Sequence, residues 1–197
     1  AAPSTPPSAP APVRVYLPPA RADGVPSDLL SLPARSVAEW LALEDSLRFQ
    51  RIDPSECLRK SWMVPKLKKN ARNVLTVSAH FNAVSFWAQW EIAFEGNLKE
   101  RARIMCRLVE IATECLKMNA FSAAFAIHAA FTSAPVYRLE NTKKAMAGKD
   151  MRSKDVVTKV EQLQKQLSHE FNFRAPLSLL EKCAPPCVPF LGIFQQQ

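Results

Sequence analysis

The stretch Phe121–Phe131 reads Phe-Ser-Ala-Ala-Phe-Ala-Ile-His-Ala-Ala-Phe. Wound at 3.6 residues per turn it has no polar face, and a helix that is apolar all round is buried on every side. The rest of the chain must therefore supply a shell around it. The neighbouring segments have the pattern such a shell needs. Val74, Val77, Phe81, Val84 and Ala88 recur at spacings of three and four, the stripe of an amphipathic helix. Asn97 can cap a following helix with Ile104, Leu108, Ile111 and Cys115 on one face, and Arg101, Arg103, Arg107 and Glu110 largely on others. Residues 154–169 form a polar amphipathic helix with Val156, Val160, Leu163 and Leu167 inward.

The remaining boundaries come from caps and prolines. Ser36-Val37-Ala38-Glu39 is a capping box, so a first helix is expected from Ser36, with Val37, Trp40, Leu41, Leu43 and Leu47 at helical spacing. Pro54-Ser55-Glu56 opens a second, short helix ending near Trp62. Pro135 stops the apolar helix and starts another, and Gly148 ends a short one. A final helix is expected from about Pro176 to Cys183, broken by Pro185-Pro186. No segment alternates with period two for long. The fold class expected is all-α, an irregular helical bundle around a buried central helix.

Length and composition bound the domain count and exclude several functions. The 197 residues suit a single domain, and 48% of them are apolar, enough for a core. Nine of the 16 prolines lie in the first 33 residues, so residues 1–35 are expected to be a proline-rich disordered linker and 36–197 the folded domain. Only Gly24, Gly96, Gly148 and Gly192 are present, and no two are close enough to build a phosphate cradle. No run of 18 apolar residues suggests a transmembrane helix. The N-terminus has neither the basic nor the apolar region of a signal peptide, and the missing initiator Met suggests a piece of something longer. Five cysteines, an odd number, fit reduced cytosolic thiols. Cys183 and Cys187 read as two small buried residues flanking a Pro-Pro turn rather than as metal ligands.

No residue pattern supports covalent catalysis. His80, His128 and His169 have no Cys, Ser or carboxylate in a recognisable catalytic arrangement, and no cofactor motif is present. The net charge of +8 permits an acidic protein, nucleic acid or an anionic membrane and selects none. The basic run Arg59, Lys60, Lys66, Lys68, Lys69, Arg72 reads as a solvated loop, or as a docking surface for an acidic partner. The aromatic residues mostly fall on core faces, so nucleic acid is not an expected partner.

Several segments, in order, resemble one family. They are Leu41…Phe49-x-x-Ile52-x-Pro54-Ser55-Glu56…Trp62, then Asn73-Val-Leu…His80-Phe-Asn82-x-Val84-Ser85-x-Trp87, then Arg101-Ala…Ile111-Ala…Cys115-Leu…Asn119-x-Phe121. The most specific are Ser133-Ala-Pro135-Val136-Tyr137-Arg138-Leu139 and Pro185-Pro186-Cys187-Val188-Pro189-Phe190-Leu191-Gly192-Ile193. Over roughly residues 36–194 they are similar to the catalytic domain of Ras-family guanine-nucleotide exchange factors, the RasGEF domain. The resemblance implies an all-helical domain that opens the switch regions of a small GTPase of the Ras, Rap or Ral class, so that GDP leaves and GTP enters. No bond is made or broken in the exchange factor, and no cofactor or metal is implied. It also implies a monomeric cytoplasmic protein without direct membrane insertion, brought to the cytosolic face of a membrane by its GTPase.

The contact residues carry over unevenly. Tyr137 matches a residue at the GTPase interface, and Phe190 matches an aromatic that helps form the pocket for a switch aromatic. Phe125 falls where the family has an apolar pocket residue, and His80 and Phe81 keep a His-Phe pair on the interface helix. Asn82 falls near the contact surface. Thr132 stands where the family usually has a hydrogen-bonding Asn, Ser78 replaces a bulkier residue, and Ala79 replaces a polar or charged one. The family domain continues past Leu-Gly-Ile-Phe into a helical hairpin, whereas this sequence ends Phe194-Gln-Gln-Gln. The resemblance therefore leads one to expect a partly uncovered apolar face and impaired exchange. Three readings follow: an exchange factor, a non-catalytic GTPase-binding module of the same fold, and a basic helical scaffold for nucleic acid or anionic membrane that rests on charge alone.

Overall fold

The computed structural model describes residues 28–147, 153–168 and 170–195. The linker up to residue 27, the helix end at Gly148 and the histidine of the His169-Glu170 pair lie outside the described residues. Among those described the architecture is helical. The helices are α1 (Ala34–Phe49), α2 (Arg72–Ala93), α3 (Leu98–Lys117), α4 (Phe121–Thr132), α5 (Ala134–Tyr137), α6 (Glu140–Met146), α7 (Ser153–Gln166), α8 (Glu170–Lys182) and α9 (Gly192–Gln195). Short 3-10 turns occupy Asp28–Leu30, Pro54–Lys60 and Lys68–Asn70.

The apolar stretch is α4, and it is the central helix. Every residue from Phe121 to His128 is buried, as is Ala130. Helix α2 packs along one side, α3 along another, and α1 closes a third. The expected inward faces are buried in α3 (Ile104, Leu108, Ile111, Cys115) and α7 (Val156, Leu163, then Leu167), with Val160 half-buried. Asn97 caps α3, its side-chain oxygen accepting from the Lys99 and Glu100 N–H groups at 2.9 and 3.3 Å.

The first turn of α4 shows why two distant sequence motifs belong together. Ala120 cannot cap a helix with its side chain. Instead the Val188 carbonyl accepts from the N–H groups of Phe121 (2.9 Å) and Ser122 (3.3 Å), and Val188 N–H donates to the Asn119 carbonyl at 2.9 Å. Asn119 adopts a left-handed φ of 56°, and its side-chain amide donates to the Ala184 carbonyl at 3.0 Å. Orphan donors at a buried helix start must find partners, and the Pro-Pro-Cys-Val-Pro-Phe loop supplies them.

Three boundaries differ from expectation. Helix α1 starts at Ala34, not Ser36, and the Ser36 capping box does not form. Arg35 Nε donates to Glu39 Oε1 at 2.8 Å, one turn away, so Glu39 is not available to cap. Its inward side is Val37, Ala38, Leu41 and Asp45, while Leu43 and Leu47 are exposed. Packing also begins before residue 36: Leu29 is buried in the core, and Arg107 Nη2 donates to the Leu30 carbonyl at 3.3 Å. The last long helix starts at Glu170, with Pro176 inside it. A proline removes an N–H and crowds the preceding turn. The irregularity appears at Phe173, whose φ of 59° is left-handed and whose ring is buried.

Candidate functional site

Helix α2, the start of α4 and the loop before α9 enclose a shallow depression of about 320 Å³. Val77, Ser78, Phe81 and Asn82 line it from α2, Ser122 from α4, and Phe190, Leu191 and Gly192 from the loop. Phe190 is stacked between two other rings. Its centroid lies 4.8 Å from Phe81 and 4.5 Å from Phe125, with interplanar angles of 27° and 23°. Phe173 stands tilted at 6.3 Å from both Phe125 and Phe190. Phe125 is buried behind Phe190 and does not line the depression, while Phe81 and Phe190 are half-buried and line it.

Gly192 makes this arrangement possible. A Cβ there would lie 2.3 Å from Phe190 Cζ, so the ring folds back over the glycine backbone. Polar atoms at the rim differ in availability. Ser78 Oγ donates to the Val74 carbonyl at 3.1 Å and is already committed to its own helix. Asn82 is exposed.

A second concavity, about 260 Å³, lies among α3, α4, α6 and α7 and includes His128, Phe131, Thr132, Tyr137 and Lys143 in its lining. Tyr137 is 63% exposed. Lys143 orients it: Nζ sits 4.2 Å from the ring centroid and donates to the Tyr137 carbonyl at 2.5 Å and to Glu140 Oε1 at 3.1 Å. Thr132 Oγ1 donates back to the Ala129 carbonyl at 3.1 Å, which leaves the hydroxyl only acceptor capacity toward a partner. Helix α5, which carries Tyr137, packs against both α2 and α4.

The eight residues marked in the sequence thus separate into three groups. Ser78, Phe81, Asn82, Phe125 and Phe190 come together at the stacked rings. Thr132 and Tyr137 meet at the second concavity. His80 lines neither concavity. It is fully buried and faces α1, with Nε2 3.4 Å from Asp45 Oδ1. Burial, with the Arg48 charge nearby, pushes the imidazole pKa down to about 4. Burial pushes the Asp45 carboxyl up to about 7, against the pull of Ser122 and the Ala123 backbone at the start of α4. His80 thus lies inside the bundle where α2 meets α1, with neither ring nitrogen within hydrogen-bonding geometry of a partner. The sequence did not single out Asp45, Lys143 or the steric role of Gly192.

Three of the cysteine thiols are held in their protonated form. Burial raises Cys115, burial and Glu110 raise Cys106 to about 11, and burial with the neighbouring Cys183 raises Cys187. A thiol held in its protonated form is a poor nucleophile. Cys187 is exposed and Cys183 half-buried, so the expected pair of buried residues is not found. Among the described residues no three His, Cys, Asp or Glu side chains gather as metal ligands, and no helix is long and apolar enough to cross a membrane.

The family model for the RasGEF domain matches residues 36–197. The chain belongs to the RasGEF domain family. It is 34% identical over 168 residues to Ras guanine nucleotide exchange factor J of Dictyostelium discoideum, covering 85% of this chain and 20% of that protein. It is 31% identical over 173 residues to Ras-specific guanine nucleotide-releasing factor RalGPS1 of Mus musculus, covering 87% of this chain and 28% of that one. The chain thus spans less than a third of the length of either of these curated relatives. Both specific motifs of the sequence, around Tyr137 and around Phe190, lie in the matched region and line the two concavities.

Proposed function

We propose that this RasGEF domain promotes GDP release and GTP loading on a Ras-like small GTPase. The observation that carries the reading is the Phe81–Phe190–Phe125 stack, which offers an apolar, aromatic-lined depression with a polar rim at Asn82 and Ser78. Interfaces concentrate their energy in such a desolvated apolar centre. A switch-region aromatic of the GTPase is the occupant whose shape and chemistry suit it, and Tyr137, held outward by Lys143, engages the same partner beside it. The action is linkage, not covalent chemistry. A partner that binds the nucleotide-free GTPase more tightly must weaken nucleotide affinity by the same factor. Ras, Rap and Ral relatives all present the class of surface required. The GTPase, rather than any segment spanning the bilayer, recruits the domain to the cytosolic face of a membrane, where it acts as a monomer.

The test is release of fluorescent GDP from a panel of Ras-family GTPases. Acceleration by the wild-type chain is expected, reduced roughly 30-fold or more in Phe190→Ala, as for an interface anchor worth about 2 kcal/mol, and reduced also in Tyr137→Ala. No acceleration on any member of the panel by the folded chain would overturn it. One observation favours a second reading, a GTPase-binding module without efficient exchange. Ser78 and Thr132 both donate their hydroxyls into their own helices, which weakens the polar grip on a partner. Under that reading the GTPase is bound while its nucleotide is retained.

A further inference from the structure

From Cys57 to Trp90 the chain carries six lysines and arginines and no acid. The acids that flank this span, Glu56 and Glu91, are both buried. Glu56 fastens the first part of the span into a closed loop. Its carboxylate accepts from the Asn73 N–H at 2.7 Å, the Asn73 side-chain amide at 2.6 Å and the Val74 N–H at 3.1 Å. The chain thus leaves at Glu56 and returns to the same carboxylate at Asn73, so the ends of segment 57–72 are tied together; Ser61 and Ala71 are buried, and most of its other side chains are exposed.

This loop has an unusual surface. Lys60, Lys66, Lys68, Lys69 and Arg72 are exposed, and no acidic partner faces them among the described residues. Five cations outside the loop are neutralised locally: Arg35, Arg48, Arg103, Arg107 and Lys117 each pair with a glutamate on their own helix. Between the loop cations stand Leu58, 63% exposed, Met63, 62% exposed, and Val64, 38% exposed. An acidic protein would answer the lysines but would leave three aliphatic side chains in the same loop without a purpose. Single-stranded nucleic acid would call for exposed stacking rings, and the loop's one aromatic, Trp62, is half-buried. Exposed aliphatic side chains and unpaired lysines in one short segment instead match the two layers of a bilayer surface. The aliphatic side chains reach the acyl boundary, and the ammonium groups meet the headgroup phosphates and carboxylates.

We propose that loop 57–72 is a peripheral docking surface for an anionic phospholipid bilayer. Leu58, Met63 and Val64 enter at headgroup depth and the lysines bind the negative leaflet, with no spanning segment. The sequence alone ties this chain to a membrane through its GTPase, or through net charge with no surface assigned to it. The docking surface is independent of the exchange reading and stands or falls separately.

The test is co-sedimentation of the full 197-residue chain with vesicles of phosphatidylcholine, alone or mixed with phosphatidylserine. Binding to the mixed vesicles only is expected, falling as salt is raised. Each basic residue near such a surface contributes about fivefold in affinity, so Lys66→Glu with Lys68→Glu and Lys69→Glu should lower binding by about 100-fold or more. The same three changed to Gln should lower it in the same direction and serve where charge reversal perturbs folding, which thermal melts reveal. Leu58→Ser with Met63→Ser leaves the charge unchanged and should lower binding about tenfold or more. Absence of binding to mixed vesicles, or binding equal in wild type and folded lysine variants, overturns the proposal. So does a Leu58/Met63 variant that binds undiminished while soluble polyglutamate competes as well as vesicles, which identifies an acidic protein as the partner.

Discussion

Gly192 is small because Phe190 occupies the space where its side chain would be. The Phe190 ring cannot step aside, since Phe81 and Phe125 hold its two faces. Gly192→Ala should therefore displace the ring from the stack. The expected cost is about 1–3 kcal/mol, the range for overpacking a filled site, read as a lower unfolding temperature. GDP release should fall toward that of Phe190→Ala; wild-type stability and exchange in Gly192→Ala would contradict the stacked geometry. A second pair of residues makes a pH prediction. The Asp45 carboxyl, raised by burial from 3.8 to about 7, contributes stability that is full below pH 3.8 and lost as pH rises through 7. The His80 imidazole, lowered by burial from 6.5 to about 4, contributes stability that is full above pH 6.5 and lost as pH falls through 4. Between pH 4 and 6.5 the folded pair carries its proton on Asp45 and the unfolded pair on His80, so the two slopes oppose each other. Asp45→Asn leaves the His80 slope alone, and stability should rise with pH by about 1.4 kcal/mol per unit in that window. His80→Gln should give a fall of the same order. Urea denaturation across the window checks both. Neither residue stands out in the sequence as core because each is polar. Yet His80 sits three after Val77 and four before Val84, and Asp45 four after Leu41, which is the spacing of their buried neighbours.

Two helix starts, those of α2 and α4, are held by groups from elsewhere in the chain. Glu56 performs this service for α2 across a 17-residue separation. Burial raises its carboxyl pKa, but hydrogen bonds from Asn73 and the Val74 and Asn73 backbones outweigh that and hold it below the ordinary value. Its stabilisation is therefore present above pH 4.5 and lost as pH falls through the lowered value. Glu56→Ala should cost about 2–3 kcal/mol, as for hydrogen bonds to a charged acceptor, measured as a lower urea midpoint with the slope unchanged. An unchanged midpoint would mean that α2 needs no cap. Such long-range caps explain which boundaries the sequence reveals. Asn97 lies beside the helix it caps and was legible. The Ser36 box was a plausible local pattern overridden by another local contact, Arg35 to Glu39. Pro176 looked like a helix start because its ring is compatible with a first turn, and nothing local announced that the irregularity would be taken up at Phe173. The apolar run of α4 was legible because no competing pattern can absorb eleven residues without a polar face.

Considered whole, the domain is a buried helix whose shell carries the stacked rings, a separate concavity beside Tyr137, and the basic loop. The five residues around the rings were legible through their motifs, because Phe81 and Phe190 converge only if the Val188 loop docks on α4, and the same motif supplies both docking and ring. What periodicity could not convey is which neighbour each face meets: His80 and Phe81 are adjacent in sequence, yet one turns to α1 and the other to the ring stack. If the account is right, the surface around Phe190 prefers a GTPase stripped of its nucleotide. The decisive measurement is the affinity of the wild-type chain for one Ras-family GTPase in its GDP-bound and nucleotide-free forms, with GDP affinity measured with and without the chain. The account predicts tighter binding to the nucleotide-free form, by the same factor by which the chain weakens GDP binding, with Phe190→Ala reducing both. Equal affinity for the two forms would contradict it.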